Sequence, residues 1–316
     1  MKKPLIILTG PTAVGKTATS IALAKRIHGE IISADSMQIY KYMDIGSAKI
    51  RPEEMDEIPH YLIDELEPIE EFHVARFQEM AKKAIVKIYE NGHIPIVVGG
   101  TGFYIQALLY DIDFSNGSED TGYRQELEDI VCSKGVHVLH EMLQKVDAQA
   151  AQNIHENNVK RVIRALEYYR QTGKKISEHN EEERKKESPY QFVYLVLYDE
   201  RQQLYQRIDD RVDAMIKEGL VEEVIGLKEK GYTADMVAMQ GLGYKEILAY
   251  LDGTTTLDEA IRILKRDTRH FAKRQLTWFK REQQVLWIDK QEYQYQEDRI
   301  LEAIIQEIRK KDISTC

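Results

Sequence analysis

The stretch "LIILTGPTAVGKTATSIALAKRI" (5–27) limits the fold more than any other part of the chain. Within it, Gly10-Pro11-Thr12-Ala13-Val14-Gly15-Lys16-Thr17 fits the phosphate-loop spacing Gly-x-x-x-x-Gly-Lys-Thr. The apolar run before the loop reads as a buried strand, and residues 15–27 read as a helix, so the motif sits in the strand–loop–helix context it requires. Backbone N–H groups of such a loop, and the helix N-terminus behind it, receive phosphate oxygens. Lys16 supplies positive charge, and the Thr17 hydroxyl suits Mg²⁺. A chain built on this unit is expected to form a parallel, P-loop NTPase-like α/β sheet flanked by helices.

The rest of the chain extends that reading. "EIISAD" (30–35) and "IPIVVGG" (94–100) are continuous apolar runs bounded by Gly, Pro or Asp, and residues 74–91 carry a helical pattern. "FVYLVLYD" (192–199) and "VLWID" (285–289) are further strand candidates. Between these groups, from about 120 to 187, the chain is charged and helical in pattern and holds no convincing strand; "HNEEERKKE" near its end reads as solvated or mobile. The expected organisation is a P-loop core from 1–115 and 190–316, interrupted by a helical insertion domain over 116–189. With 316 residues, 43% of them hydrophobic, the chain is long enough for both. No apolar run approaches the length of a membrane span. Two cysteines, Cys132 and Cys316, are too few for a disulfide framework or a zinc site. A cytoplasmic protein is expected, with no obligate protein partner.

The loop identifies a phosphate ligand, not a reaction. A nucleotide hydrolase usually carries a second strand that ends in an acidic residue. Here "IPIVV" ends in Gly99-Gly100-Thr101-Gly102, and Asp199, after "VYLVLY", reads better as the cap of a helix beginning near Arg201. Asp35 and Ser36 follow the second strand, where ligands bind in open α/β sheets. A carboxylate there holds a metal ion or takes a proton from an attacking group; a helix cap or turn is the competing reading.

Six segments, "GPTAVGKT", "DSMQIYKYMDIGSAK", "GGTGFYIQALL", "RVIRALE", "GLGYKEIL" and "AKRQLTWFKR", together resemble the tRNA dimethylallyltransferase (tRNA isopentenyltransferase) family, bacterial type. Ser47 and Ile50 stand where that family usually has Thr and Pro, and Asn158 where it often has Asp. The resemblance implies transfer of a dimethylallyl group from dimethylallyl diphosphate to the exocyclic amine of the adenine just 3′ of a tRNA anticodon. It implies Lys16, the loop and a Mg²⁺ on Thr17 as the diphosphate site, with Arg211 preferred over Arg207 as a further contact. Asp35 becomes the general base, and Thr101 bonds the phosphate or the target nucleotide. Contacts to the tRNA anticodon stem-loop are implied for Asp35, Ser36, Met37 and Gln38, for Arg124, for Lys160, Arg161, Val162, Ile163 and Arg164, and for Gln240, Gly241, Leu242, Gly243, Tyr244 and Lys245. The target base has to leave its stack to reach such a site.

Net charge is −9, which taken alone argues against a nucleic-acid partner. Local charge argues otherwise. Residues 157–175 hold six cations and one acid, Glu167, and residues 262–281 hold eight Lys or Arg and one acid, Asp267. In the second stretch, positions 257, 261, 264, 268, 271, 275 and 278 share one mostly apolar helical face, and Arg262, Arg266, Arg269, Lys273 and Lys280 share another. That stripe, Arg269 and Lys273 in particular, suits an RNA backbone; a solvated charged face is the plainer alternative. Two rival functions remain at this stage. One is a P-loop kinase of a nucleoside or small metabolite, with Asp35 as base; the other is a non-catalytic RNA-binding switch. Neither accounts for both the basic stretches and Asp35.

Overall fold

Strand β1 (Lys3–Thr9) leads into helix α1 (Lys16–Ile27), then β2 (Gly29–Ser33), β3 (His60–Tyr61), α2 (Val74–Glu90), β4 (Ile94–Gly99) and α3 (Gly102–Leu109). Five helices follow: α4 (Thr121–Lys134), α5 (Val136–Val146), α6 (Ala148–Asn153), α7 (Val159–Thr172) and α8 (Ile176–Lys185). The chain then forms β5 (Tyr190–Tyr198), α9 (Arg201–Glu218), α10 (Leu220–Glu229), α11 (Tyr244–Leu251), α12 (Leu257–Phe279), β6 (Val285–Asp289) and α13 (Glu297–Lys310). This computed structural model describes residues 2–114 and 121–313.

The six strands form one parallel sheet in the order β3-β2-β4-β1-β5-β6. β1 lies between β4 and β5, with Ile7 opposite Val97 on one side and Tyr194 on the other. A strand paired on both edges and covered on both faces has no polar environment to satisfy, which is why Leu5–Leu8 is continuously apolar and buried. The five long strands coincide with the apolar runs in the sequence. β3, two residues at the sheet edge, carries no such run and was not expected. Leu23, Ile27, Leu204, Ile300 and Ile304 bring α1, α9 and α13 into the core around Ile6, Leu8 and Leu195.

The chain divides into two compact units, Met1–Leu109 with Pro189–Cys316, and Tyr110–Ser188. The expected domain boundary at 115/116 lies outside the described residues, as does Cys316; Cys132 is exposed. The second unit is all helical among its described residues. Its core joins Leu127 of α4, Leu139 and Leu143 of α5, Ala150 of α6 and Val162 and Leu166 of α7. Most of "HNEEERKKE" is the end of α8, a helix rather than a structureless segment, with Glu183 turned inward and donated to by the Asp113 amide.

Candidate active site

Parallel topology brings the carboxyl ends of β1, β4 and β2 side by side, and with them the loop 10–17, the turn 99–102 and Asp35. The loop cannot close with ordinary backbone angles. Ala13 has φ 65° and Gly15, at the N-cap of α1, has φ 99°, a left-handed value that glycine adopts without steric cost. The side chains of Pro11 and Val14 are buried, so these residues serve the loop through their backbone. The amides of Gly15, Lys16 and Thr17 donate to no group among the described residues, as expected of a helix start awaiting an anion. The Lys16 ammonium lies against the Gly10 and Pro11 carbonyls, 3.0 and 2.9 Å away. Thr17 is exposed in the first turn of α1.

Asp35 is half-buried. Its Oδ1 accepts the amides of Met37 (2.8 Å) and Gln38 (3.4 Å). The turn reading of Asp35 is therefore correct for one oxygen; Oδ2 has no hydrogen bond among the described residues. Ser36, Met37 and Gln38 are half-buried too, and the Gln38 amide is already engaged by the Ser33 hydroxyl (3.1 Å) and the Ala48 carbonyl (3.2 Å). Arg211, on α9, faces the same crevice. Burial, then the Arg211 charge, lowers the Lys16 pKa to about 8, while Asp35 pulls it upward. The Arg211 pKa is lowered by desolvation and supported by Asp35. Two cations and one carboxylate thus converge at the strand ends, and the cations repel one another. Arg207 is spoken for: it pairs at 2.6 Å with Asp199. Asp199 does not cap α9, as the sequence suggested; Glu200 stands at that position, and the buried Asp199 carboxylate accepts the Tyr295 hydroxyl at 2.9 Å.

Thr101 is half-buried. It donates its amide to the Ala34 carbonyl at 3.3 Å, and its own carbonyl accepts from Tyr104 and Ile105 at the start of α3. The turn around it is clamped by α12. A Cβ on Gly100 would collide with the Gln275 amide, and one on Gly102 with the Trp278 ring. Gln275 is 6% exposed. Its Oε1 accepts the Thr12 amide at 2.9 Å and its Nε2 donates to the Gly100 carbonyl at 3.0 Å. Position 275 was assigned to a mostly apolar face, so this bridge was missed; a glutamine amid buried neighbours was the available signal. Lys290 was missed as well. Its buried ammonium sits behind the loop, 3.4 Å from the Val14 carbonyl and 3.1 Å from Glu297.

The residues implied as RNA contacts divide by exposure. Lys160 and Arg161 are exposed and Arg164 is half-buried, whereas Val162 and Ile163 pack into the helical core. Arg124 makes a bidentate pair with the buried Glu167, 2.9 Å at each nitrogen. Gln240 and Lys245 are exposed, Gly241 and Leu242 half-buried, and Gly243 and Tyr244 buried; the Tyr244 hydroxyl donates to Glu223. Buried side chains offer a polynucleotide no surface, so Val162, Ile163 and Tyr244 shape these segments from inside. The basic stripe of α12 is also uneven. Arg262 pairs with Glu259, Lys265 with Asp213, Arg266 with Asp267 and Arg269 with Asp209. Lys273 and Arg281 have no such partner among the described residues. With His270, Arg274, Thr277 and Trp278 they line an open groove of about 470 Å³.

Fold and site together define a P-loop α/β protein whose loop faces a carboxylate. A sequence model of the IPP transferase family matches residues 38–282. A tRNA dimethylallyltransferase of Lachnoclostridium phytofermentans is 58% identical over 311 residues, 98% of this chain and 99% of the relative. One from Acetivibrio thermocellus is 54% identical over 289 residues, 92% of each chain. Among solved structures, the full-length tRNA isopentenylpyrophosphate transferase of Bacillus halodurans superposes with a TM-score of 0.73 at 46% identity, covering 99% of this chain and 98% of that one. A eukaryotic dimethylallyltransferase acting on tRNA superposes with a TM-score of 0.77 at 35% identity, over 91% of this chain and 74% of that one. The chain belongs to the IPP transferase family.

Proposed function

We propose that this protein transfers the dimethylallyl group of dimethylallyl diphosphate to the exocyclic amine of the adenine 3′-adjacent to the anticodon in tRNA, releasing diphosphate. The observation that carries this reading is the convergence of Lys16, Arg211 and Asp35 at the strand ends of an IPP transferase fold. The allylic C–O bond breaks as negative charge gathers on the diphosphate, where Lys16, the free loop amides and Arg211 receive it. The adenine amine is a weak nucleophile, because its lone pair is delocalised into the ring. Its nitrogen bonds the allylic carbon and its proton passes to Asp35 Oδ2, while the Met37 amide holds Oδ1 still. Thr101, on the adjacent turn, bonds the phosphate or the target nucleotide.

A divalent ion such as Mg²⁺, when bound, adds positive charge at the leaving group. The residues fit it in a limited way. Thr17 offers a hydroxyl, and no trio of His, Cys, Asp or Glu forms a cage among the described residues. Such a donor set suits a hard cation held chiefly by phosphate oxygens and water.

Lys160, Arg161 and Arg164 on one unit, and Lys273, Arg274 and Arg281 on the other, have no ion pair among the described residues and are the cations we assign to the anticodon stem-loop. No described helix is long and apolar enough to cross a membrane, and a tRNA substrate calls for a cytoplasmic enzyme. Incubation with bulk tRNA and labelled dimethylallyl diphosphate, beside a parallel reaction with labelled ATP, tests the proposal. Prenyl label in RNA is expected. Label moving only from ATP to a small molecule would overturn it in favour of a kinase.

A further inference from the structure

The amide of Gln275 joins two parts of the site that the sequence holds far apart. Its oxygen takes the Thr12 N–H of the phosphate loop and its nitrogen gives to the Gly100 carbonyl of the turn that carries Thr101. These bonds span 263 and 175 residues, and the side chain is almost wholly buried. One turn further along α12, Trp278 packs against Gly102 of the same turn. Trp278 also lines the basic groove with Lys273, Arg274 and Arg281, and Phe103 stands edge-on to it at 6.1 Å. The helix thus presents cations outward while its inner face grips the loop and the turn together. Engagement of Thr12 by Gln275 also takes that amide away from any phosphate, so its job is to fix the loop rather than to bind the leaving group.

We infer that Gln275 is a positioning residue that couples the groove on α12 to the diphosphate site. This rests on the functional reading above. A polyanion seated on the groove pulls on α12, and the only polar tie from that helix to both the phosphate loop and the Thr101 turn among the described residues is this amide. Occupation of the groove therefore changes affinity for a diphosphate in the loop. By linkage, diphosphate changes affinity for RNA by the same factor.

Two near-isosteric variants separate the two bonds. Gln275→Glu keeps an acceptor for Thr12 but turns a carboxylate oxygen on the Gly100 carbonyl, and Gln275→Met removes both bonds at similar length. The experiment measures inorganic pyrophosphate affinity with and without a saturating tRNA anticodon stem-loop, for the full chain and both variants, together with single-turnover transfer and thermal midpoints. In the parent protein the stem-loop is expected to change pyrophosphate affinity by about 5-fold or more, in the range typical of coupled sites. In Gln275→Met that factor falls to about 1, with single-turnover transfer down roughly 10–100-fold, as for lost orientation of reacting groups, and stem-loop affinity within about 3-fold of the parent. A parent coupling factor near 1, with transfer intact, would overturn the inference while leaving the function standing. So would a variant that loses transfer only in proportion to its folded fraction. A parent protein that transfers no dimethylallyl group would overturn the function and this inference with it.

Discussion

At the scale of single residues, the site's electrostatics make two predictions. Lys16 in the free protein titrates near 8, because burial and Arg211 disfavour its charge more than Asp35 supports it. A bound diphosphate favours the charged ammonium, so binding above that pH must take up a proton. Pyrophosphate affinity, measured by calorimetry and referenced to a Lys16→Met variant, should therefore fall as pH rises through about 8, by up to roughly tenfold per unit. Below that pH the Lys16 contribution should be flat. A flat difference up to pH 9.5 would remove Lys16 from the phosphate site. The second prediction concerns Asp35. Asparagine can still accept the Met37 amide at Oδ1, so Asp35→Asn keeps the turn and loses only the base. Transfer should drop about 10²–10⁴-fold with pyrophosphate affinity and thermal midpoint little changed. Single-turnover transfer near the parent rate would dismiss Asp35 as base.

At the scale of elements, the loop after β2 is held by a carboxylate from α10. Glu223 Oε2 accepts the amides of Asp44 (2.9 Å) and Ile45 (2.7 Å), and Oε1 accepts Gly46 (3.0 Å) and the buried Tyr244 hydroxyl (2.9 Å). Glu223→Gln turns an NH₂ toward amide hydrogens and should cost about 2–3 kcal/mol, read from the denaturant midpoint. Tyr244→Phe removes a single donor to that carboxylate and should cost about 1.5 kcal/mol, the low end for a bond to a charged group. Equal losses for the two would mean that the carboxylate is not the anchor. These ties also mark the limit of what the sequence reveals. Strands β1, β2, β4 and β5 were legible because burial on both faces demands unbroken apolar runs; β6, a half-buried edge strand, was legible from the short apolar run "VLWID" alone. β3 was not, because two edge residues need no pattern. The places of the loop and of Asp35 at the strand ends were legible from local spacing and the strand-end rule, whereas Thr101 was singled out through the family resemblance. Gln275, Glu223 and Lys290 act across folded distance, so no local window shows their partners. The charge balance of the α12 stripe was hidden for the same reason. It looks acid-poor along the chain, yet Asp209 and Asp213 of α9 neutralise Arg269 and Lys265 from 60 and 52 residues away.

At the scale of the whole molecule, an acidic protein must still hold an RNA. Exposed cations with no ion pair among the described residues occur on both compact units, on α7 of one and at the end of α12 on the other. Each phosphate neutralised releases condensed counterions, with a slope of log affinity on log salt of roughly −0.7 per contact on single strands and −0.9 on duplex. Replacing Lys273 and Arg281 by alanine should flatten the slope by about one to two units. Arg269 is already paired with Asp209, so Arg269→Ala should flatten it by clearly less than Lys273→Ala. Lys160→Ala with Arg161→Ala should flatten it by about one to two units on its own. Because the two pairs sit in different units and share no contact residue, the quadruple variant should show nearly the sum of both changes. Filter-binding titrations of tRNA from 50 to 300 mM salt would check this. An unchanged slope in the Lys273/Arg281 variant would reduce the groove to a solvated face. A full effect in that variant with none from α7 would leave the RNA held by the P-loop unit alone.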